Sequence, residues 1–226
     1  MFYDGTYILL IPAMIFAIYA QGKVNSTFNR YLRVNSQKGY TGVEVARMIL
    51  DSEGLENVVI QLTNGHLTDH YDPRKNILRL SNAVYNGTSV ASLGVAAHEV
   101  GHAIQHSRGY APLMIRNSLV PIANIGSQAA WILFLIGFIF VPELHLMEIG
   151  IIFYLSVILF HIITLPVEFN ASNRAISLLE SQGVLSSNEI APAKKVLDAA
   201  ALTYIASTIV AISQLFRLLL LRGRRR

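Results

Sequence analysis

The chain has 226 residues and a formal net charge of +4, and 53% of its residues are hydrophobic while only 14% are charged. Soluble domains carry nearer a quarter charged residues, so this composition predicts membrane-spanning segments. The absence of cysteine excludes a disulfide framework and any thiolate metal site. Apart from a short C-terminal cluster the basic residues are dispersed, which disfavours nucleic-acid binding and is typical of topology signals and lipid contact.

Residues 5–20 form an uncharged apolar run about as long as a bilayer is thick. Aromatic residues stand where an interfacial belt would lie: Phe2, Tyr3, Tyr7. A cleaved signal peptide is the alternative interpretation. However, Asp4 replaces its positive start, and Ile18 occupies a position where a small residue should precede the cleavage site. We therefore predict a retained membrane anchor.

The segment that follows the anchor is more polar and carries turn signals. Thr41 and Glu44 have the spacing of a capping box, which predicts a helix that ends near Gly54. Three short runs separated by turn sequences predict a small antiparallel sheet: 58–62, 66–71, 77–81. The middle strand fits an edge that binds an extended peptide, and it fits an ordinary structural hairpin as well.

The sequence H-E-V-G-H lies in an apolar, helix-compatible stretch that begins near Ser89 or Ser92. On a helix, His98 and His102 project from one face, so both imidazoles can reach one Zn²⁺. Glu99 would lie beside the metal and act as the general base for a water molecule. The alternative is that both histidines are ordinary core residues. The Glu99 carboxylate would then be buried with neither a partner nor a role in proton transfer, which costs considerable free energy. The pattern therefore favours a metal site.

Catalytic zinc usually has three protein ligands and one open position. Glu168 is the only carboxylate in 149–179, and it follows Pro166 at the predicted start of an apolar helix. We predict that Glu168 is the third ligand, because a carboxylate in apolar surroundings needs a partner. A glutamate that offsets the helix macrodipole is the alternative. His106 is the rival ligand, but it lies about 80° further round the helix than His98, which favours a supporting or surface role.

Two apolar runs flank a short acidic turn and predict a transmembrane hairpin: 118–141, 149–166. His161 lies inside the second run, where an ionisable residue is a functional candidate, although a hydrogen bond to a neighbouring helix is the simpler interpretation. A last apolar segment follows at 201–221. It either spans the bilayer or lies in the interface with Arg217 snorkelling to the surface.

The distribution of basic residues predicts the orientation. Ten of them lie in 21–117 and three in 168–200, the stretches that hold the predicted ligands, while the turn at 142–148 has none. The positive-inside rule then places the active site in the cytoplasm and the N-terminus outside. The arginine-rich tail at 222–226 favours the opposite orientation if the last segment spans, and we follow the larger set of charges.

Three motifs resemble a known family: H-L-T-D-H-Y-D-P-R-x-x-x-L-R-L-S, A-A-H-E-V-G-H-A-I-Q-H, L-P-V-E-F-N-A-S. They are similar to the YugP-like family of bacterial "putative neutral zinc metallopeptidases", and the likeness covers nearly the whole chain. A more distant similarity is to HtpX-type membrane gluzincins, in which a glutamate opening an E-x-x-x-D motif completes the H-E-x-x-H site. This resemblance also makes Glu168 the third ligand.

The chain departs from the second family at Ser172, where those relatives carry an aspartate that is expected to orient a zinc-binding histidine. Ser172 can make one hydrogen bond there but adds no charge, so Asn170, Asn173 or another residue can substitute. Other side chains are candidates for supporting the site, steadying the oxyanion or contacting the substrate: Arg174, His66, His70, His106, His161.

These features predict a mainly α integral membrane protein with a small antiparallel β-sheet, in which a gluzincin-like α+β metallopeptidase core is fused to three or four transmembrane helices. Five segments are predicted in chain order: anchor 1–22, catalytic part 23–117, transmembrane hairpin 118–167, third-ligand helix 168–200, C-terminal helix and basic tail 201–226.

We predict a zinc endopeptidase with one Zn²⁺ per chain, in the bacterial cell membrane, acting on membrane or unfolded proteins. A membrane-protein partner or a second copy of the chain fits this setting. One alternative is a zinc-binding membrane scaffold without peptidase activity, but a structural zinc site would not need the uncoordinated carboxylate of Glu99. Another is a lipid-surface or nucleic-acid binder that uses the basic tail.

Overall fold

The computed structural model describes residues 5–139 and 145–223. Some residues used in the predictions lie outside the described residues: Phe2, Tyr3, Asp4, 140–144, 224–226. The described chain begins with a short 3-10 helix at Gly5–Leu9. The helices that follow are α1 (Leu10–Tyr31), α2 (Gly42–Ser52), α3 (Asn82–Tyr85), α4 (Val90–Ser107), α5 (Ala111–Ile139), α6 (Leu146–Ser181) and α7 (Ser187–Gly223). The strands are β1 (Val59–Thr63), β2 (His70–Asp72) and β3 (Ile77–Ser81).

Two helix starts follow directly from local sequence. The Thr41 hydroxyl accepts a hydrogen bond from the Glu44 N–H, and the Glu44 carboxylate accepts one from the Thr41 N–H at 2.8 Å, so the predicted capping box of α2 is confirmed. The Ser89 hydroxyl accepts a hydrogen bond from the Ser92 N–H at 3.1 Å and begins α4. Each cap satisfies a backbone donor that the first turn of a helix would leave without a partner.

The predicted fold class is confirmed, but the small sheet is mixed and not antiparallel throughout. Its strand order is β1-β3-β2; β2 runs antiparallel to β3, whereas β1 runs parallel to it. β3 takes the centre because Leu78 and Leu80 are fully buried, while most β1 side chains are exposed. The chain therefore crosses from β1 to the far edge before it returns as β3.

The middle strand is shorter than predicted, because β2 begins only at His70 and His66 lies outside it. The Asp69 carboxylate accepts hydrogen bonds from the Ser81 N–H at 2.7 Å and the Ser81 hydroxyl at 3.1 Å. Burial raises the pKa of Asp69, and these two bonds only partly oppose that rise. Asp69 thus fixes the start of β2 against the end of β3.

Four stretches of the described chain are long and apolar enough to cross a membrane, by length and composition: Gly5–Tyr31, Ala111–Phe138, Leu146–Ser181, Ser187–Gly223. Three or four were predicted. The last is one continuous helix, so the predicted division between residues 200 and 201 does not fall at an element boundary.

The expectation that a new helix starts after Pro166 is wrong, since α6 continues through this proline and carries Glu168 in its interior. A proline removes one backbone donor from the helix. If the helix were interrupted in apolar surroundings, several backbone N–H and C=O groups would lose their partners without water to replace them. A continuous helix that lacks one hydrogen bond therefore costs less free energy than an interrupted helix.

The chain divides into two compact units. The sheet unit comprises Gly22–Ala111 and Val167–Ala201, and the helical unit comprises Met1–Gln21, Pro112–Pro166 and Leu202–Arg226. In the core of the sheet unit, apolar side chains of α2 and α4 pack with β3 and the adjoining part of α6. Most side chains of α4 are buried there, so this helix is held rigidly.

Close helix packing in the helical unit depends on glycine. A Cβ added at Gly126 of α5 would lie 2.4 Å from the Ser156 hydroxyl oxygen, and one added at Gly150 of α6 would lie 2.8 Å from the Ala130 carbonyl oxygen. α5 and α6 therefore approach each other closely along small residues, as is common in membrane helices.

Arg217 of α7 does not snorkel to the surface of the helical unit. Only 5% of this residue is exposed, and its guanidinium carbon lies 3.8 Å from the centroid of the Tyr7 ring. An aromatic face can stabilise a cation in such surroundings. Arg217 thus contacts the first span.

Candidate metal centre

α4 places the two predicted histidine ligands side by side. The rings of His98 and His102 are 4.8 Å apart between centroids and nearly perpendicular, at 86°. Both lie on the same face because four residues make slightly more than one helical turn. Only 12% of each side chain is exposed, so the two imidazoles face the interior of the sheet unit.

α6 brings Glu168 against these two rings. Its Oε2 lies 3.3 Å from His98 Nε2 and 3.6 Å from His102 Nε2, and its side chain is 4% exposed. The contact between α4 and α6 is very close beside these residues, because a Cβ added at Gly101 would lie 2.8 Å from the Ala171 carbonyl oxygen. A glycine on α4 therefore permits the approach that brings Glu168 to the histidines.

The three side chains fit a zinc ion. Zinc bonds to nitrogen and oxygen of about 2.0–2.1 Å, arranged tetrahedrally, separate two ligand atoms by about 3.3 Å. The two Nε2–Oε2 distances, 3.3 and 3.6 Å, are close to this value. The three ligand atoms lie within 4.8 Å of one another. Two imidazoles and one carboxylate are also a donor set that suits zinc and leaves a coordination position open.

The opposite nitrogen of each imidazole has a partner of its own. His98 Nδ1 lies 3.1 Å from the Ser172 hydroxyl, and His102 Nδ1 lies 3.0 Å from Oε1 of Gln105. Such partners hold a ring so that its other nitrogen can bind a metal. Sequence reasoning singled out Ser172 but missed Gln105, although its position three residues after His102 on the same helix could have revealed it.

Burial and the neighbouring carboxylates act in opposite directions on the pKa of His102. Burial has the largest effect and opposes the charged form of the ring. The hydrogen bond and the charge of Glu168, aided by the charge of Glu99, nevertheless raise the pKa of His102 above its ordinary value. The site thus attracts positive charge, whether a proton or a metal cation.

Glu99 follows His98 on α4 and is 9% exposed. Within residues 5–139 and 145–223, no hydrogen bond or ion pair engages its carboxylate. A carboxylate that is buried beside two imidazoles and has no structural partner is available for proton transfer.

The other histidines named as candidates have different neighbours. His106 Nδ1 lies 3.0 Å from the Tyr71 hydroxyl, and the ring of His66 packs edge-on against Phe28. His70 Nδ1 donates to the Thr68 carbonyl at 2.8 Å, and Arg79 approaches its other nitrogen. In the helical unit, the rings of His161 and Phe160 are in contact. The structure does not bring any of the three from the sheet unit into the group of three ligand atoms.

Arg174 lies about one and two-thirds turns beyond Glu168 on α6. Its Nε donates a hydrogen bond of 2.7 Å to Oδ1 of Asn170. Arg174 also lines an open pocket of about 290 Å³ together with Asn170 and Arg108, and the lining of this pocket does not include His98, His102 or Glu168. This position makes it a candidate for contact with a bound molecule.

The contact at Gly101 leads to a prediction with a matched control. We expect Gly101→Ala to destabilise the sheet unit by about 1–3 kcal/mol, because its Cβ would overlap the backbone of α6. Gly94→Ala on the same helix places its Cβ 3.6 Å from the Ala193 Cβ, an ordinary contact, and should stabilise by about 0.5–1 kcal/mol. Thermal unfolding of both variants in detergent checks this, and an equal effect of the two substitutions would contradict it.

A helix that carries H-E-x-x-H, with a glutamate from a second helix against its histidines, is the arrangement of a zinc-dependent peptidase site. The sequence family described as "Putative neutral zinc metallopeptidase" matches residues 6–223, and the chain belongs to this family. The chain is also 44% identical over 218 residues, covering 96% of each sequence, to the Bacillus subtilis (strain 168) protein "Putative membrane protease YugP". No solved structure gives a significant match. The resemblance inferred from the three motifs is confirmed.

Proposed function

We propose that the chain is a membrane-embedded zinc endopeptidase of the gluzincin type. In this proposal His98, His102 and Glu168 hold one Zn²⁺, and Glu99 is the general base. The observation that carries it is the meeting of two imidazole nitrogens of α4 with one carboxylate oxygen of α6, at 3.3 and 3.6 Å, from positions more than sixty residues apart in sequence. Membership in a zinc metallopeptidase family supports the same chemistry.

In the proposed reaction, a bound zinc ion would polarise the scissile carbonyl and lower the pKa of a water molecule towards neutrality. Glu99 takes a proton from the attacking water and later delivers it to the leaving nitrogen. Ser172 and Gln105 keep the two ligand rings in place during these steps. Arg174 is our candidate for contact with the substrate, since it lines the open pocket.

An extended or unfolded protein segment is the substrate that the sheet favours. β2 lies at an edge of the sheet, so backbone groups along one of its sides are not used by a neighbouring strand. Tyr71 of β2 contacts His106 of α4, which places this edge beside the helix that carries the proposed ligands. A peptide can pair with such an edge in extended form.

We also propose that the sheet unit faces the cytoplasm, on the basis of the charge distribution. Arg222 donates a hydrogen bond of 2.9 Å to Glu148, so the described end of α7 lies beside the start of α6. Because the chain has no cysteine, labelling of a single introduced cysteine by an impermeant maleimide reports the orientation directly.

Proteolysis of an unfolded protein such as casein tests the proposed function. We expect the full chain, purified in detergent with its zinc content measured, to cleave casein, to lose this activity with a zinc chelator and to regain it with Zn²⁺. Zinc bound without cleavage of casein or of a panel of unfolded membrane proteins would instead favour the alternative, a zinc-binding membrane scaffold. A chain that binds no zinc would contradict both.

A further inference from the structure

Gln105 is a fully buried polar side chain that joins the two helices of the metal centre. Its Oε1 lies 3.0 Å from Nδ1 of His102, on α4. Its Nε2 donates to the Val167 carbonyl oxygen at 2.8 Å and to Oδ1 of Asn170 at 3.0 Å, both on α6. Val167 directly precedes Glu168, so one amide contacts His102 and the backbone beside the proposed third ligand.

The direction of each hydrogen bond follows from groups that can only donate or can only accept one. The Val167 carbonyl oxygen can only accept, so the Gln105 atom that faces it must be the amide nitrogen. The amide oxygen of Gln105 then faces His102, and since this oxygen can only accept, His102 Nδ1 must carry the hydrogen. In the neutral ring, which is the form that binds a metal, the lone pair of His102 is thereby left on Nε2, the nitrogen that faces Glu168.

Asn170 supports the same assignment from the other side. The Nε of Arg174 can only donate, and it approaches Asn170 Oδ1 at 2.7 Å. The atom of Asn170 that faces Gln105 is therefore an acceptor, as the amide nitrogen of Gln105 requires. Two independent groups, a backbone carbonyl and a guanidinium, thus hold Gln105 in one orientation.

The hydrogen-bond partner of His98 does not fix which nitrogen of the ring carries the hydrogen. The Ser172 hydroxyl, 3.1 Å from His98 Nδ1, can either donate or accept, so it is compatible with both neutral tautomers of the ring. Only His102 has a partner whose orientation is itself fixed by the protein. The two proposed histidine ligands therefore differ in how far the protein prepares them for a metal.

We propose that Gln105 is a positioning residue that presets His102 in the tautomer that binds metal through Nε2. This inference rests on the proposed function for the identity of the ligands. An imidazole held in this form and orientation needs no rearrangement when the metal arrives, and loss of such partners typically lowers metal affinity about 10- to 100-fold.

The test compares Gln105→Leu with Gln105→Glu in the full detergent-purified chain. Leucine removes the acceptor for His102, whereas glutamate keeps an oxygen in that place and loses at least one of the two donated bonds to α6. Zinc affinity is measured by competition with a chelator. Thermal unfolding of the metal-free forms and the visible absorption of the Co²⁺-loaded forms are measured in parallel.

We expect the leucine variant to bind zinc about 10- to 100-fold more weakly and to change the Co²⁺ spectrum, while the glutamate variant keeps wild-type affinity and spectrum even though both variants unfold at lower temperature. Equal losses of affinity in the two variants would show that Gln105 acts only on packing and would overturn the inference. Unchanged affinity in both would overturn it as well. A wild-type chain without zinc would instead overturn the proposed function on which it rests.

Discussion

Glu99→Gln is expected to reduce cleavage of casein by about 10²- to 10⁴-fold while the zinc content of the chain stays unchanged. The amide has nearly the shape of the carboxylate, but it cannot take a proton from water. Glu99 has no structural partner in the described part of the chain, so its replacement should leave the fold intact. This combination separates a general base from a structural residue.

The measurement for Glu99 is the initial rate of casein cleavage beside zinc analysis of the same samples. Glu56→Gln, an exposed position of the sheet unit, is the matched control and should behave like the wild type. Wild-type rates in Glu99→Gln would remove Glu99 from the mechanism. Loss of zinc from this variant would assign the carboxylate to metal binding instead.

Glu168→Gln is expected to lower zinc affinity by more than about 100-fold. Loss of a residue that only hydrogen-bonds to a metal ligand costs at most about this much, and loss of a ligand itself should cost more. The neutral amide loses the charge that draws a cation to the two imidazoles, and it is a poorer zinc ligand than a carboxylate. Casein cleavage should fall in proportion to the zinc that is lost.

Chelator competition measures the affinity, with Glu180→Gln, an exposed carboxylate further along α6, as the control that should bind zinc normally. The rival assignment of the third ligand to His106 predicts the reverse result. In that case His106→Ala would lose zinc and Glu168→Gln would keep it, and our ligand set would be wrong.

Local features of the structure were predictable because they depend on neighbours in sequence. The capping box at Thr41 and the start of α4 near Ser89 need only a few residues, so both could be located before the fold was known. The long apolar runs predicted the membrane helices for the same reason. The pairing of the strands was harder to predict from the sequence, since the parallel pairing of β1 with β3 depends on which strand is buried most.

By itself the sequence determined the class of protein and the face of α4 that carries His98 and His102, because a helix converts a spacing of four residues into one face. Only the tertiary structure decided how Glu168 reaches them, from the interior of a continuous helix that touches α4 at Gly101. It likewise decided that Ser172 of α6 contacts His98 and that Val167 and Asn170 of α6 orient Gln105. These contacts join residues of two helices whose approach is set by packing of the whole sheet unit, which no local pattern encodes.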